Sequence, residues 1–489
     1  MNPAAPATSA QRPRAEPAHD HSSGSFWWLA AVAAAFSLSQ LLFVSPRMGL
    51  GWDESVYVSQ FSVHAPAAYF DAARARGVPL LVAPVALLTS SVVALRVYLA
   101  LASGLGLLVA LWTWRRLRPT WVLALAGLAF GGLWVSQYYG PQAMPDEWVA
   151  LSGLAAVGFF LQAATGRGGP GALAGLTVSV ALSALFRPGD AVFLAVPLAL
   201  AVVIVRAWRR WPLLACLAGG MLAGSAEWVI EALARFGSLS ARLHEASAEQ
   251  GGFGLHLAVW DELRAVNGPT LCRPCTIGWR YPELSLWWLA LPVLVAVGIA
   301  AARRAGALGS SALAAVCGLS VAVQYLFLIS YAAPRFLLPG YALTAIPVAD
   351  GLAWLLGGVR RDLRTITVPA VAAALLAQLV VQHIVLDHEV SGTIAFHEDY
   401  LRVTTDLRHL GVRPPCVING EQDIPIAFYA GCASAPGAAS ALAAGQHVAV
   451  LASAGQEPPG YARRWVQHPL AGSGVLRVIA YLPAGGSAG

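Results

Sequence analysis

The run FWWLAAVAAAFSLSQLLFV, residues 26–44, carries no charged side chain. At about 1.5 Å of rise per residue it is long enough to cross a hydrocarbon core of about 30 Å as a helix. It is too long for the apolar region of a cleaved signal peptide, and further runs of the same kind follow, so it reads as a first transmembrane span. Ahead of it, residues 1–25 are rich in Pro, Ala, Ser and His without apolar period, and read as a disordered cytoplasmic tail. Behind it, ten more apolar runs occupy residues 95–114, 121–137, 148–164, 172–186, 191–205, 213–232, 284–302, 311–330, 336–356 and 366–386. The expectation is an α-helical polytopic membrane protein with about eleven transmembrane helices.

Composition agrees. Of the 489 residues 57% are hydrophobic and 11% charged, and mean hydropathy is +0.62. Soluble domains carry about 25% charged residues, so this chain has too little polar surface to cover a globule in water. The net charge of +6 does not indicate nucleic acid, because the arginines form no stripe or face. They cluster between spans: Arg115, Arg116 and Arg118 after the second, Arg167 after the fourth, Arg206, Arg209 and Arg210 after the sixth, Arg303 and Arg304 after the eighth, and Arg360, Arg361 and Arg364 after the tenth. Counted from a cytoplasmic N-terminus, all of these fall on the inner side, as positively charged loops do in a plasma membrane protein.

Four segments then face outward: residues 45–94, 138–147, 235–283 and everything after Asp387. The last is of domain size. It contains a helix-like stretch at 400–410 and strand-like runs at 416–419, 447–451 and 475–482, which predict a small extracytoplasmic α/β domain over 388–489, beyond a membrane domain over 26–387. Cys272 and Cys275 in the long outer loop, and Cys416 and Cys432 in the outer domain, face an oxidising space and are expected to pair as two disulfides. No second Cys pair at matching spacing supports a zinc site. Cys216 and Cys317 fall within spans and read as packing residues.

Carboxylates are scarce, so their positions carry information. Asp53 and Glu54 stand in Gly51-Trp52-Asp53-Glu54-Ser55-Val56-Tyr57, just outside the first span. Asp53 has two readings: the N-cap of a short helix, or a general base taking a proton from an attacking hydroxyl. Asp146 and Glu147 open the fourth span from the outer side, where acids suit a helix N-terminus. Arg187, in Arg187-Pro188-Gly189-Asp190, and Arg335, in Ala333-Pro334-Arg335-Phe336, interrupt the apolar pattern. An outer-side arginine runs against the inner-side bias; it either snorkels to headgroups or binds phosphate through its planar fork. Glu227 and Glu231, one turn apart in the outer half of the seventh span, either pair with Arg235 or mark a transport path.

One span from a cytoplasmic N-terminus, then an Asp-Glu pair with Tyr57 downstream, resembles the GT-C superfamily of membrane glycosyltransferases, which includes protein O-mannosyltransferases and lipid A aminoarabinose transferases. In that family the first outer loop carries the catalytic Asp, matched here by Asp53 with Glu54. Membrane-surface helices follow it, matched by residues 67–76 and 78–90. The second outer loop supplies another acid, matched by Asp146, with Glu147 beside it. The Arg187-Pro188 and Pro334-Arg335-Phe336 elements also fit. The resemblance implies a polyprenyl-phosphate sugar donor, a glycan, lipid or protein acceptor, and inverting transfer with Asp53 as base. Arg187, Arg335, Tyr57 and Glu147 would contact substrate. Some relatives use a divalent cation, which Asp53 and Asp146 could hold as oxygen ligands. The competing class is a multi-pass transporter or lipid flippase, with Glu227 and Glu231 as its best support; a third is a scaffold that needs no catalytic acid. Internal repeats, frequent in transporters, are not evident in the sequence.

Overall fold

A computed structural model of the chain describes residues 26–360, 362–434, 441–442, 445–470 and 475–483; the tail 1–25, expected to be unstructured, lies outside them. Helix α1 (Phe26–Phe43) is the first span. The outer loop after it carries α2 (Trp52–Ser59) and α3 (Gly77–Ala86). Next come α4 (Val92–Trp112), α5 (Thr120–Gly131), α6 (Trp134–Tyr139), α7 (Asp146–Ala164), α8 (Gly169–Phe186), α9 (Pro188–Ile204) and α10 (Trp211–Arg235). The long outer loop holds α11 (Leu239–Glu249) and α12 (Val259–Ala265), and α13 (Leu286–Arg304), α14 (Leu308–Phe327), α15 (Leu338–Gly357) and α16 (Arg364–His409) complete the bundle. Among the described residues, nine helices are long and apolar enough to cross a bilayer, and α5 and α9 are shorter apolar helices. An apolar helix therefore occupies each run read from the sequence.

Helix α7 is buried along almost its whole length and packs against α4, α8 and α9; its Gly158 lets Thr113 and Trp114, at the end of α4, come close, and Gly153 faces Leu194 of α9. The same device joins α10 to α8 and α13 to α15. A Cβ on Gly224 or Gly298 would run into the backbone oxygen of Ala181 or Pro347.

The structure departs from the sequence reading at three places. The run 121–137 is not one span: α5 ends at the Gly131-Gly132 pair, Leu133 is extended, and α6 begins. A broken helix at membrane depth must have its freed N–H groups satisfied by a neighbour. The Trp134 N–H donates to Gln382 Oε1 of α16 at 2.8 Å. Residues 67–76, expected to be helical, form turns, because their backbone groups are taken by side chains from elsewhere. Ala73 N–H donates to Glu249 Oε2 at 3.1 Å, and Arg242 donates to the carbonyls of Ala72 and Arg74 at 3.1 and 3.0 Å. Finally, the eleventh span and the expected helix at 400–410 are a single helix, α16, of 46 residues. About 20 residues suffice to span, so the remainder leads into the outer domain.

That domain is the expected α/β unit. Beyond β1 (Cys416–Gly420) and α17 (Asp423–Ala430) come β2 (Ala433–Ser434), β3 (His447–Ser453), β4 (Val466–Pro469) and β5 (Val478–Leu482). The sheet order is β2-β1-β3-β5-β4, parallel from β2 to β3 and antiparallel beyond. The central strand β3 reads as a continuous apolar run because both its faces are covered. Tyr400, Val403 and Leu407 of α16 pack with Ile418, Ile426 and Leu451 to form the domain core. Both expected disulfides, Cys272–Cys275 and Cys416–Cys432, are closed, while Cys216 and Cys317 remain free within spans. The domain rests on the first outer loop. Helix α17 packs against α2, and the Leu50 N–H donates to the Tyr429 hydroxyl at 2.5 Å.

Candidate active site

Helix α2 starts immediately outside α1, and its N-cap is Gly51, not Asp53. Glu54, at the third helical position, accepts from the Gly51 N–H at 3.1 Å. It also accepts from both terminal nitrogens of Arg96, at 2.5 and 2.8 Å, and from the Ala143 N–H at 2.8 Å. Arg96 donates further to the carbonyls of Met48, Gly49 and Pro141. Both side chains are buried, so Glu54 and Arg96 form a clamp tying the first outer loop to the second. Removing one partner of such a buried pair typically costs about 3–5 kcal/mol.

With the cap supplied by Gly51 and Glu54, the Asp53 carboxylate is free to face the other way. Arg74 Nη2 donates to its Oδ1 at 2.8 Å and Arg335 Nη2 to its Oδ2 at 3.3 Å, and its side chain is 33% exposed. Burial alone would push this carboxyl up; the Arg74 and Arg335 guanidiniums outweigh it and hold Asp53 below the usual carboxylate range. Tyr57, one turn on, lies beneath Arg74, whose guanidinium sits 5.0 Å from the ring centre.

Asp146, in the first turn of α7, is fully buried. Arg187, in the break between α8 and α9, donates to its Oδ1 at 2.9 Å and to the Tyr325 hydroxyl at 2.8 Å. Tyr325 and Gln324 in turn donate to Asp190. Arg335 stands in the 3₁₀ turn Pro334–Leu337, with its Nε 3.6 Å from Asp146 Oδ2. That is an ion pair too long to be a hydrogen bond. Arg335 Nε and Asp146 Oδ2 are thus both buried without a hydrogen-bond partner.

The structure therefore gathers Asp53, Asp146, Arg187, Arg335 and Tyr57 at one end of the helix bundle, and adds Arg74, which the sequence reading passed over. It was findable: Arg74 lies in a segment expected to face outward, the same signal that singled out Arg335. Glu147 does not join them. It is buried on another face of α7, where the Ser103 hydroxyl donates to it at 3.3 Å. Glu227 and Glu231 lie apart as well. Arg76 pairs with both, and Arg235 and Arg242 also pair with Glu231, so these acids are neutralised structurally.

A divalent cation does not fit between Asp53 and Asp146. The Arg335 guanidinium bridges the two carboxylates and occupies the position such an ion would need. Among the described residues, no three or more of His, Cys, Asp and Glu come together to hold a metal ion. The donor set of three guanidinium forks suits an anion instead.

Two apolar grooves open between the helices. One of about 400 Å³ runs between α1, α5, α6 and α16, and another of about 330 Å³ between α5, α13, α15 and α16. Helix α6 links the first to the cluster, with Trp134 in the groove wall and the Tyr139 ring centre 5.8 Å from the Arg335 guanidinium.

No protein-family model matches the chain, and no curated protein matches its sequence. Solved structures do resemble it. ArnT from Cupriavidus metallidurans bound to undecaprenyl phosphate superposes with a TM-score of 0.63 at 14% identity, covering 95% of this chain and 99% of that one. The oligosaccharyltransferase AglB from Archaeoglobus fulgidus, in complex with an inhibitory peptide and a dolichol-phosphate, gives 0.52 at 12% identity over 87% of this chain and 69% of that one. The arabinofuranosyltransferase AftD from Mycobacteria gives 0.52 at 13% identity over 96% of this chain and 40% of that one. All are GT-C glycosyltransferases, and this chain has the GT-C fold.

Proposed function

We propose that this protein is an integral membrane glycosyltransferase that moves a sugar from a polyprenyl-phosphate donor to an extracytoplasmic acceptor hydroxyl on a glycan, lipid or protein. The observation that carries this reading is Arg335. It bridges Asp53 and Asp146, and its buried Nε, 3.6 Å from Asp146, has no hydrogen-bond partner, while the Asp53 carboxylate on its other side is one-third exposed. A phosphate oxygen would satisfy that N–H. The prenyl chain would lie in one of the two grooves, held by apolar burial.

The chemistry follows from the charges. The acceptor oxygen attacks the anomeric carbon, the bond from that carbon to the phosphate oxygen breaks with inversion, and the hydroxyl proton passes to Asp53. Arg187 and Arg335 stabilise the leaving phosphate as its charge grows. Asp146 orients both arginines and Tyr57 supports Arg74. When the phosphate takes up Arg335, Asp53 loses one of the cations that depress its basicity, and it becomes a stronger base only once the donor is bound. Glu54 and Glu147 have no part in this step; Glu54 shapes the loop that presents Asp53. The fold likeness to ArnT and AglB, whose structures contain undecaprenyl phosphate and dolichol-phosphate, supports the donor class.

In this reading residues 26–387 form the catalytic membrane domain and 388–489 an outer α/β domain. The chain sits in the plasma membrane with its N-terminus cytoplasmic, as the arginine alternation requires. Reporter fusions at Arg116 and Arg304 should give a cytoplasmic signal and a fusion at Val475 an extracytoplasmic one. A cytoplasmic signal at Val475 would invert the assignment. The transfer reaction itself is tested by incubating the purified protein, in vesicles, with lipids from a strain that lacks it and following the lipid-linked sugar.

A further inference from the structure

The Cys272-Arg273-Pro274-Cys275 loop is far from Arg335 in sequence but in contact with the segment that carries it. Cys272 and Ala332 exchange two backbone hydrogen bonds, Cys272 N–H to the Ala332 carbonyl at 2.9 Å and Ala332 N–H to the Cys272 carbonyl at 3.2 Å. Their side chains share a small buried cluster with Ala265. One residue on, the Ala333 N–H donates to Glu262 Oε1 at 3.2 Å, and Glu262 is buried. At the other end of the contact the Arg335 Nη1 donates to the Thr270 carbonyl at 3.4 Å, an acceptor two residues before Cys272. Arg273, between the two cysteines, lies over the Tyr331 ring at 4.7 Å and donates to the Glu249 carbonyl at 2.6 Å. The disulfide-closed loop thus touches Tyr331 and Ala332, and Thr270, two residues before it, meets the guanidinium of Arg335.

We infer that the Cys272–Cys275 disulfide is a clip that positions Arg335 for phosphate, with Glu262 as its second anchor. The physical reason lies in what the arginine needs. It stands in a short 3₁₀ turn between two helices, and regular structure there fixes little of its side chain. A paired guanidinium that is to hold a leaving group must be placed to within a fraction of an ångström, and a 1 Å misplacement can cost on the order of 100-fold. The covalent bridge holds residues 272–275 in one conformation, so Cys272 stays where Ala332 meets it and anchors the short lead-in through Thr270, whose carbonyl Arg335 meets. Breaking it, by transfer of two electrons and two protons from a dithiol, gives two thiols and frees that hairpin. The cysteines touch no substrate; they are positioning residues acting through Arg335.

The inference rests on the proposed reading of the site as a lipid-phosphate pocket, and the test separates the two. The probe is undecaprenyl phosphate, titrated against the full chain in nanodiscs. The wild-type protein should bind it. Treating folded protein with dithiothreitol should weaken binding by about 10- to 100-fold, and reoxidation should restore it. A Cys416→Ser/Cys432→Ser variant should respond in the same way, which assigns the effect to the other disulfide. Cys272→Ser/Cys275→Ser protein should bind weakly from the outset and ignore the reductant, and so should Arg335→Ala. If reduction leaves wild-type affinity unchanged, or weakens Arg335→Ala by the same factor as wild type, the clip is refuted while the pocket stands. If oxidised wild-type protein does not bind the lipid phosphate, the pocket reading falls, and the clip with it. Reduction acts on protein already folded, so the test survives a serine variant that fails to assemble.

Discussion

Replacing Asp53 with Asn is expected to lower sugar transfer by about 100- to 10,000-fold, the usual cost of removing a general base, without loss of folded protein. Asn preserves size and can still accept a hydrogen bond from Arg74, but it cannot take the acceptor's proton. The Gly51 cap and the Glu54–Arg96 clamp hold α2 independently of residue 53, so the loop should keep its shape. Glu457→Gln, in an exposed pair with Arg463 on the outer domain, is the matched control. The pH profile offers a second readout. In the free protein Arg74 and Arg335 hold the Asp53 carboxyl below the usual range, so the acid limb of kcat/KM should lie low. Donor phosphate draws Arg335 away, so the acid limb of kcat should lie higher. Coincident limbs would remove the coupling between donor and base.

Arg335→Ala should lower kcat by about 100- to 1,000-fold, the range found when one donor to a developing anion is removed. It also leaves Asp53 and Asp146 without the guanidinium that bridges them. Lys should rescue only in part, because an ammonium is a point charge without the planar fork that reaches two oxygens at once. Arg360→Ala, exposed and on the inner side in this topology, should behave as wild type. Steady-state transfer by the three variants decides it; equal rates for Arg335→Ala and Arg360→Ala would take Arg335 out of the mechanism.

Much of this arrangement was legible in the sequence. The spans follow from long apolar runs, and the convergence of Asp53, Asp146, Arg187 and Arg335 follows from sidedness, because outer loops can meet only on the outer face. Helix phase was harder to read. Asp53-Glu54 and Asp146-Glu147 look like pairs acting together, but adjacent residues on an α-helix point about 100° apart. In both cases the Asp joins the cluster while the Glu turns away, to Arg96 in one case and Ser103 in the other. The turns at 67–76 were illegible for another reason: their hydrogen-bond partners, Arg242 and Glu249, are some 170 residues away in sequence. The break before Trp134 likewise depends on Gln382, far along the chain. Local propensity cannot announce a partner that only the folded bundle supplies.

The most direct test of the central claim is the fate of the lipid-linked sugar. Purified protein in vesicles, given lipids extracted from a strain that lacks it, should consume a polyprenyl-phosphate sugar. Mass spectrometry should show free polyprenyl phosphate appearing in equal amount with glycosylated acceptor, and Asp53→Asn protein should produce neither. If the wild-type protein instead leaves the lipid-linked sugar chemically intact, merely moving it between leaflets or ignoring it, the protein is no glycosyltransferase and the arginine cluster serves another purpose.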